Sequence, residues 1–130
     1  MNNQEDLEAW IAAYIEAQSM EKTVQPDHEC WWAVDRFMDM NTLEKAEAGW
    51  CAILGILARR PTEQVLYVLA AGPLEDLIHY WGPNFIDRIE QAAWTDIQFR
   101  NLLTGVWESS SDEIWNRVQR AASGNRPTHI

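Results

Sequence analysis

Apolar residues recur along the chain at helical spacing. Leu7, Trp10, Ile11, Tyr14 and Ile15 form an i, i+3, i+4, i+7, i+8 stripe, which predicts an amphipathic helix over residues 4–20. The polar stretch from Thr23 to Asp27, punctuated by Pro26, predicts a connection. A second helix is expected from Asp27 to Met40, with Cys30, Trp31, Val34, Phe37 and Met38 facing inward. Asn41, followed three residues later by Glu44, has the spacing of a capping box and opens a third helix. That helix carries Leu43, Ala46, Trp50, Ile53, Leu54 and Leu57 on one face and the small residues Ala48, Ala52 and Gly55 on another. Small residues admit close neighbours, so this helix is expected to be central and contacted on two sides. Arg59 and Arg60 suit its negative C-terminal end, and Pro61 stops it.

Thr62 caps a predicted fourth helix with Val65, Leu66, Val68 and Leu69 inside. Gly72-Pro73 interrupts the pattern, and Pro73 is placed as the first residue of a fifth helix carrying Leu74, Leu77 and Ile78. Gly82-Pro83 repeats the device before a sixth helix with Phe85, Ile86, Ile89 and Ala93. A short seventh helix runs from Asp96 to Leu103 and is closed by Gly105. Ser110 or Ser111 caps the last helix, whose face of Ile114, Trp115, Val118 and Ala122 ends at Gly124. No stretch sustains the period-two alternation of a strand. The pattern predicts one all-α domain of seven to eight helices over residues 1–124, a compact irregular fold or a short solenoid-like stack, followed by a flexible tail over residues 125–130.

Composition fits that reading and narrows the function. A chain of 130 residues that is 47% apolar and 23% charged can bury a core without disulfides or a structural metal. Twenty acidic residues against ten basic ones give a net charge of −10, which opposes direct contact with nucleic acid phosphates and with an anionic membrane surface. The longest apolar run, Gly49 to Ala58, falls short of the ~18 residues a membrane span requires. The acidic opening MNNQEDLEAW has no basic region followed by an apolar one, so no secretory signal is expected. Cys30 and Cys51 form no CxxC pattern and read as two buried free thiols, which suits a reducing cytoplasm.

Candidate chemistry is sparse. His28 and His79 are far apart in sequence and no HxxxH or HExxH spacing occurs, so neither a metal nor a cofactor is expected. Asp27 and Glu29 read as first-turn acids of the second helix, with His28 facing solvent. Glu75 and Asp76 are paired carboxylates that could perform acid–base work if their environments split their pKa values. The simpler reading is helix-dipole stabilisation plus an ion pair to Arg88 or Arg100. GxSxG, P-loop and GxGxxG patterns are absent, which leaves an enzyme using paired carboxylates as a remote alternative.

Leu69 to Trp107 and Ser109 to Val118 contain the motifs AAGPLEDL, FIDRIE, FRNLLTGVW and DEIW. On these motifs, over about half of its length, the chain resembles a family of small bacterial proteins of unknown function. The resemblance implies a bacterial, cytoplasmic, helical protein in which Gly72-Pro73-Leu74-Glu75 belongs to the shared scaffold. It implies no activity.

Charge and tryptophan point to binding. Residues 1–58 hold eleven acids and only Lys22, Arg36 and Lys45 as bases, so that part stands at −8 and the remainder at −2. Such a field attracts a basic partner and raises its association rate. Of the eight tryptophans, Trp10, Trp31, Trp50 and Trp115 lie on apolar stripes and read as core. Trp32 has His28, Glu29, Asp35, Arg36 and Asp39 as its helical neighbours, and a large aromatic ringed by charge is the pattern of an interface hot spot. Packing under the first helix or the 21–26 loop is the alternative for Trp32. Trp81, beside Tyr80, is a second candidate contact. The expected function is an acidic protein-binding module, an inhibitor or immunity-type protein that occludes a basic surface such as that of a nuclease toxin. A helical scaffold, adaptor or homodimer is the alternative.

Overall fold

The computed structural model describes residues 3–124. The predicted tail over residues 125–130 lies outside the described residues. All regular structure among the described residues is helical, and no strand occurs. The helices are α1 (Asn3–Gln18), α2 (Trp31–Met38), α3 (Leu43–Ala58), α4 (Glu63–Leu69), α5 (Glu75–Thr95), α6 (Ile97–Leu103) and α7 (Asp112–Ala122), with a π-helical turn at Ala70–Leu74. The chain divides into two compact units between Leu69 and Ala70.

In the first unit, α1 packs on α2, α3 and α4. The stripe on α1 buries Trp10, Ile11 and Tyr14 and adds Ala17. Trp10 and Tyr14 close around Phe37 of α2, with ring centroids 4.6 and 5.0 Å away, and the Trp10 indole N–H donates to the Ala33 carbonyl at 2.9 Å. Burying an indole without a partner for its N–H would be costly, so this bond fixes where α2 sits on α1. Gly55 of α3 faces Ile11: a Cβ there would stand 2.3 Å from Ile11 Cδ1, so the glycine lets the two helices approach. The small strip on α3 is divided by this packing, with Ala52 fully buried and Ala48 exposed.

Two predicted starts move. The second helix begins at Trp31 rather than Asp27. Residues 26–30 instead form tight turns, with His28 N–H bonded to the Gln25 carbonyl and Trp31 N–H to the His28 carbonyl. Asp27, His28 and Glu29 are therefore not first-turn residues. Because α2 is only Trp31–Met38, Met38 turns outward at 64% exposure while Met40, beyond the helix, is buried. Thr42, not Asn41, caps α3: its hydroxyl accepts the Lys45 N–H at 3.2 Å.

The helix count is also corrected. From Glu63 to Thr95 the backbone stays helical, and with contiguous pieces joined the described residues form six helices rather than seven or eight. Pro73 removes an N–H from the ladder, and the wider π turn at Ala70–Leu74 absorbs the loss. Near Pro83 the helix kinks instead, at Trp81, whose φ of −130° and ψ of 18° leave the helical region. The proline signals were real, but they bend the helix without ending it.

In the second unit α5 packs on the π turn, α6 and α7, burying Leu74, Leu77, Ile78, Phe85, Ile89, Phe99, Leu103 and Val118. Gly82 lies under α7, where a Cβ would meet Ile114 Cγ2 at 2.9 Å and Ser110 Oγ at 2.8 Å. Ser111 caps α7 by accepting the Ile114 N–H at 3.3 Å. Gly124 follows the helix at φ +80°, the left-handed stop that glycine adopts without a steric penalty.

Candidate functional site

The predicted binding residues fall on α2 and the turns before it, except Asp39, which caps the end of α2, and Trp81. Trp32, Asp35 and Asp39 are exposed, and Trp32 presents 42% of its surface to solvent. Arg36 is half-buried beside them. Its guanidinium stands 4.6 Å from the Trp10 ring centroid and 5.9 Å from that of Trp32, and it is ion-paired with Asp6 of α1 at 2.7 Å. Arg36 thus lies chiefly against the Trp10 ring and has its charge offset by Asp6. Lys45 pairs with Asp39 at 2.9 Å, and Arg59, at the end of α3, pairs with Glu8. Asp35 has no ion-pair partner among the described residues. Beside this face lies a hollow of about 460 Å³ lined by Trp10, Arg36, Asp39, Thr42, Glu44, Lys45 and Ala48. Trp81 belongs to the second unit, where it is half-buried at the kink.

His28 does not face solvent freely. It is half-buried and its Nδ1 accepts the Cys30 N–H at 3.0 Å, a turn-closing role. Glu29 is exposed, next to Cys30. The Cys30 thiol is buried and donates to Glu16 Oε2 at 3.2 Å, and burial together with Glu16 and Glu29 pushes its pKa up to about 11. Ligand atoms of Glu16, Glu29 and Cys30 all lie within 4.8 Å of one another. Sequence spacing could not reveal this cluster, because α1 and the 26–30 turns supply its members. It is where a cation could be held. Cys51 is exposed rather than buried, since the pattern on α3 turns that position away from the packed faces.

The paired carboxylates of α5 also differ from expectation. Neither Glu75 nor Asp76 is ion-paired to Arg88 or Arg100. Glu75 accepts the backbone N–H of Trp107 at 3.0 Å. Asp76 is pushed above the ordinary value of 3.8 by burial first and by the Glu75 charge second, partly offset by His79. Arg88 stands over the Phe85 ring at 4.3 Å.

Core expectations for tryptophan hold for Trp10 and Trp50, whereas Trp31 and Trp115 are half-buried. The most exposed tryptophan or tyrosine side chains are Trp107, at 73%, and Tyr80, at 70%. The sequence reading passed over Trp107 because it sits in a short segment between helices, where helical periodicity carries no signal.

A family model described as a family of unknown function, DUF6869, matches residues 19–126. The chain belongs to this family. The match reaches well beyond the motifs between Leu69 and Val118 and begins just after α1. The structure shows what those motifs do. The Glu75–Trp107 bond ties the GPLE element to GVW, and Arg117, following DEIW, pairs with Asp87 and Glu90 of FIDRIE. Comparison with the curated proteins and with the solved structures gives no match. No helix among the described residues is long and apolar enough to cross a membrane.

Proposed function

We propose that this protein is an acidic protein-binding module of the bacterial cytoplasm that engages a basic partner through α2, as an inhibitor or immunity-type protein would. One observation carries the reading. Trp32 stands exposed on a face with Asp35 and Asp39, and the cation nearest to it, Arg36, is already paired with Asp6. An exposed aromatic set among carboxylates is suited to a lysine- or arginine-rich surface. The two free cysteines are compatible with a reducing compartment.

The test is binding to a small cationic ribonuclease, followed by stopped-flow association and by inhibition of RNA cleavage. Association should slow steeply as salt rises, because exposed charges are screened beyond about 8–10 Å. Trp32→Ala should cost about 2 kcal/mol of affinity with the circular dichroism unchanged. Replacing Asp35 and Asp39 by Asn should mainly lower the association rate. Binding that ignores both salt and Trp32 would refute the proposal.

A further inference from the structure

The second unit presents its own aromatic surface. Trp107 and Tyr80 are 73% and 70% exposed, although each is held close to fixed structure. Trp107 follows Val106, which is buried, and its backbone N–H is bound by Glu75 of α5 at 3.0 Å. One turn further along α5, His79 Nδ1 lies 3.0 Å from Ser109 Oγ, a second tie on the same segment. The His79 ring meets Tyr80 edge-on, at 4.6 Å and 87°. Two ties one helical turn apart therefore pin the 106–109 segment, and Trp107 is displayed from an anchored backbone. An aromatic side chain carried on an already ordered backbone loses less freedom when it is covered than one on a free loop, which favours an affinity anchor.

Three carboxylates belong to this segment and to the start of α5 that ties it. Glu75, bonded to the Trp107 N–H, and its neighbour Asp76 are half-buried, and Glu108 is exposed next to Trp107 in the chain. None of the three is ion-paired among the described residues. The salt-bridged arginine of this unit, Arg117, is engaged by Asp87 and Glu90 on another stretch of α5. Aromatic faces attract cations through their quadrupole, and neighbouring carboxylates add to that attraction. A second copy of a chain with net charge −10, or an anionic lipid surface, would meet like charge here.

We propose that Trp107, Tyr80 and Glu108 form a second docking surface, separate from the α2 face, that receives an arginine- or lysine-bearing segment of a protein partner. It goes beyond the α2 reading and does not depend on it.

The test uses the full chain and a fluorescein-labelled peptide of five Arg-Gly repeats, with a peptide of five Glu-Gly repeats as control. Fluorescence anisotropy gives affinity, and the indole N–H resonances report which tryptophans are covered. The Trp107 indole should shift on addition of the Arg-Gly peptide. Trp107→Ala and Tyr80→Ala should each weaken binding at the site that the Trp107 indole reports about tenfold, while Glu108→Gln lowers it less, and the Trp107 shift should persist in Trp32→Ala. Both rings are exposed, so the melting temperature should hold and exclude unfolding as the cause. Unchanged affinity in Trp107→Ala and Tyr80→Ala overturns the proposal. A shift confined to Trp32, with loss of binding in Trp32→Ala, also overturns it and leaves the α2 reading standing. Equal binding of the Glu-Gly peptide, or a dimer in sedimentation that Trp107→Ala abolishes, overturns it in favour of non-specific or self-contact.

Discussion

Arg117 of α7 donates through both Nε and Nη2 to the two oxygens of Glu90 on α5, with Nε 3.0 Å from Oε2. Glu90 is the one charged residue among the described residues that is buried, at 9% exposure. The same guanidinium reaches Asp87 at 2.7 Å, but the Asp87 side chain is 90% exposed. A buried carboxylate with a bidentate partner and a solvated one are unequal contributors, even on one arginine.

Removing the partner should expose that inequality. Arg117→Ala leaves Glu90 buried without a counter-charge and should cost about 3 kcal/mol in a denaturant titration. Asp87→Asn removes only a solvated contact and should cost about 0.5 kcal/mol or less. Combining Arg117→Met with Glu90→Leu should recover most of the loss, since an apolar pair of similar volume needs no charge compensation. Equal costs for the two single substitutions would show that burial of Glu90 is not what makes Arg117 matter.

Much of this architecture was legible along the chain, and the exceptions share a cause. Helical periodicity located α1, α3 and α7 because the apolar residues of each recur at the 3.6-residue spacing. It could not decide whether Gly72-Pro73 and Gly82-Pro83 end helices, because tertiary packing chooses between a break, a π turn and a kink. It missed Trp107 and the role of Glu75 for a related reason. Their bond joins residues thirty-two positions apart, and neither spacing nor composition encodes it. The charged neighbours of Trp32 left exposure and packing under α1 both open, and the placement of α1 on α2 decides for exposure at 42%, as it also sets the pairing of Arg36 with Asp6.

The two thiols should differ sharply in reactivity. Cys51 is exposed, while Cys30 is buried, hydrogen-bonded to Glu16 and held near a pKa of about 11. The thiolate is the reactive form, so at pH 8 Cys30 is suppressed both by access and by ionisation. Titration of native protein with a chromogenic disulfide reagent should give one fast equivalent, lost in Cys51→Ser, and a second only after denaturation. Glu16→Gln removes the charge that opposes thiolate formation and should let the second equivalent begin to react in the native protein. Two fast equivalents in the native protein would show that Cys30 is open to reagent.

Asp76 gives a pH dependence whose sign can be worked out. Burial and the neighbouring Glu75 charge disfavour its anion, so its pKa in the folded chain lies above the unfolded value near 3.8. Between those two values the folded state binds more protons than the unfolded one, and stability falls as pH rises. The contribution is fully present below the unfolded pKa and is lost as pH rises through the folded one. Asp76→Asn keeps the shape and removes the charge, so it should raise the melting temperature at pH 7, by an amount that shrinks as pH is lowered towards 4. The Glu75 charge is the second cause, which makes the two substitutions non-additive: the gain from Asp76→Asn should be smaller in a Glu75→Gln background. Measured melting curves for the four proteins at pH 7, 5.5 and 4.5 decide the matter. A loss of stability in Asp76→Asn at pH 7 would mean that the Asp76 anion helps to hold the start of α5, as helix-dipole stabilisation alone would have it.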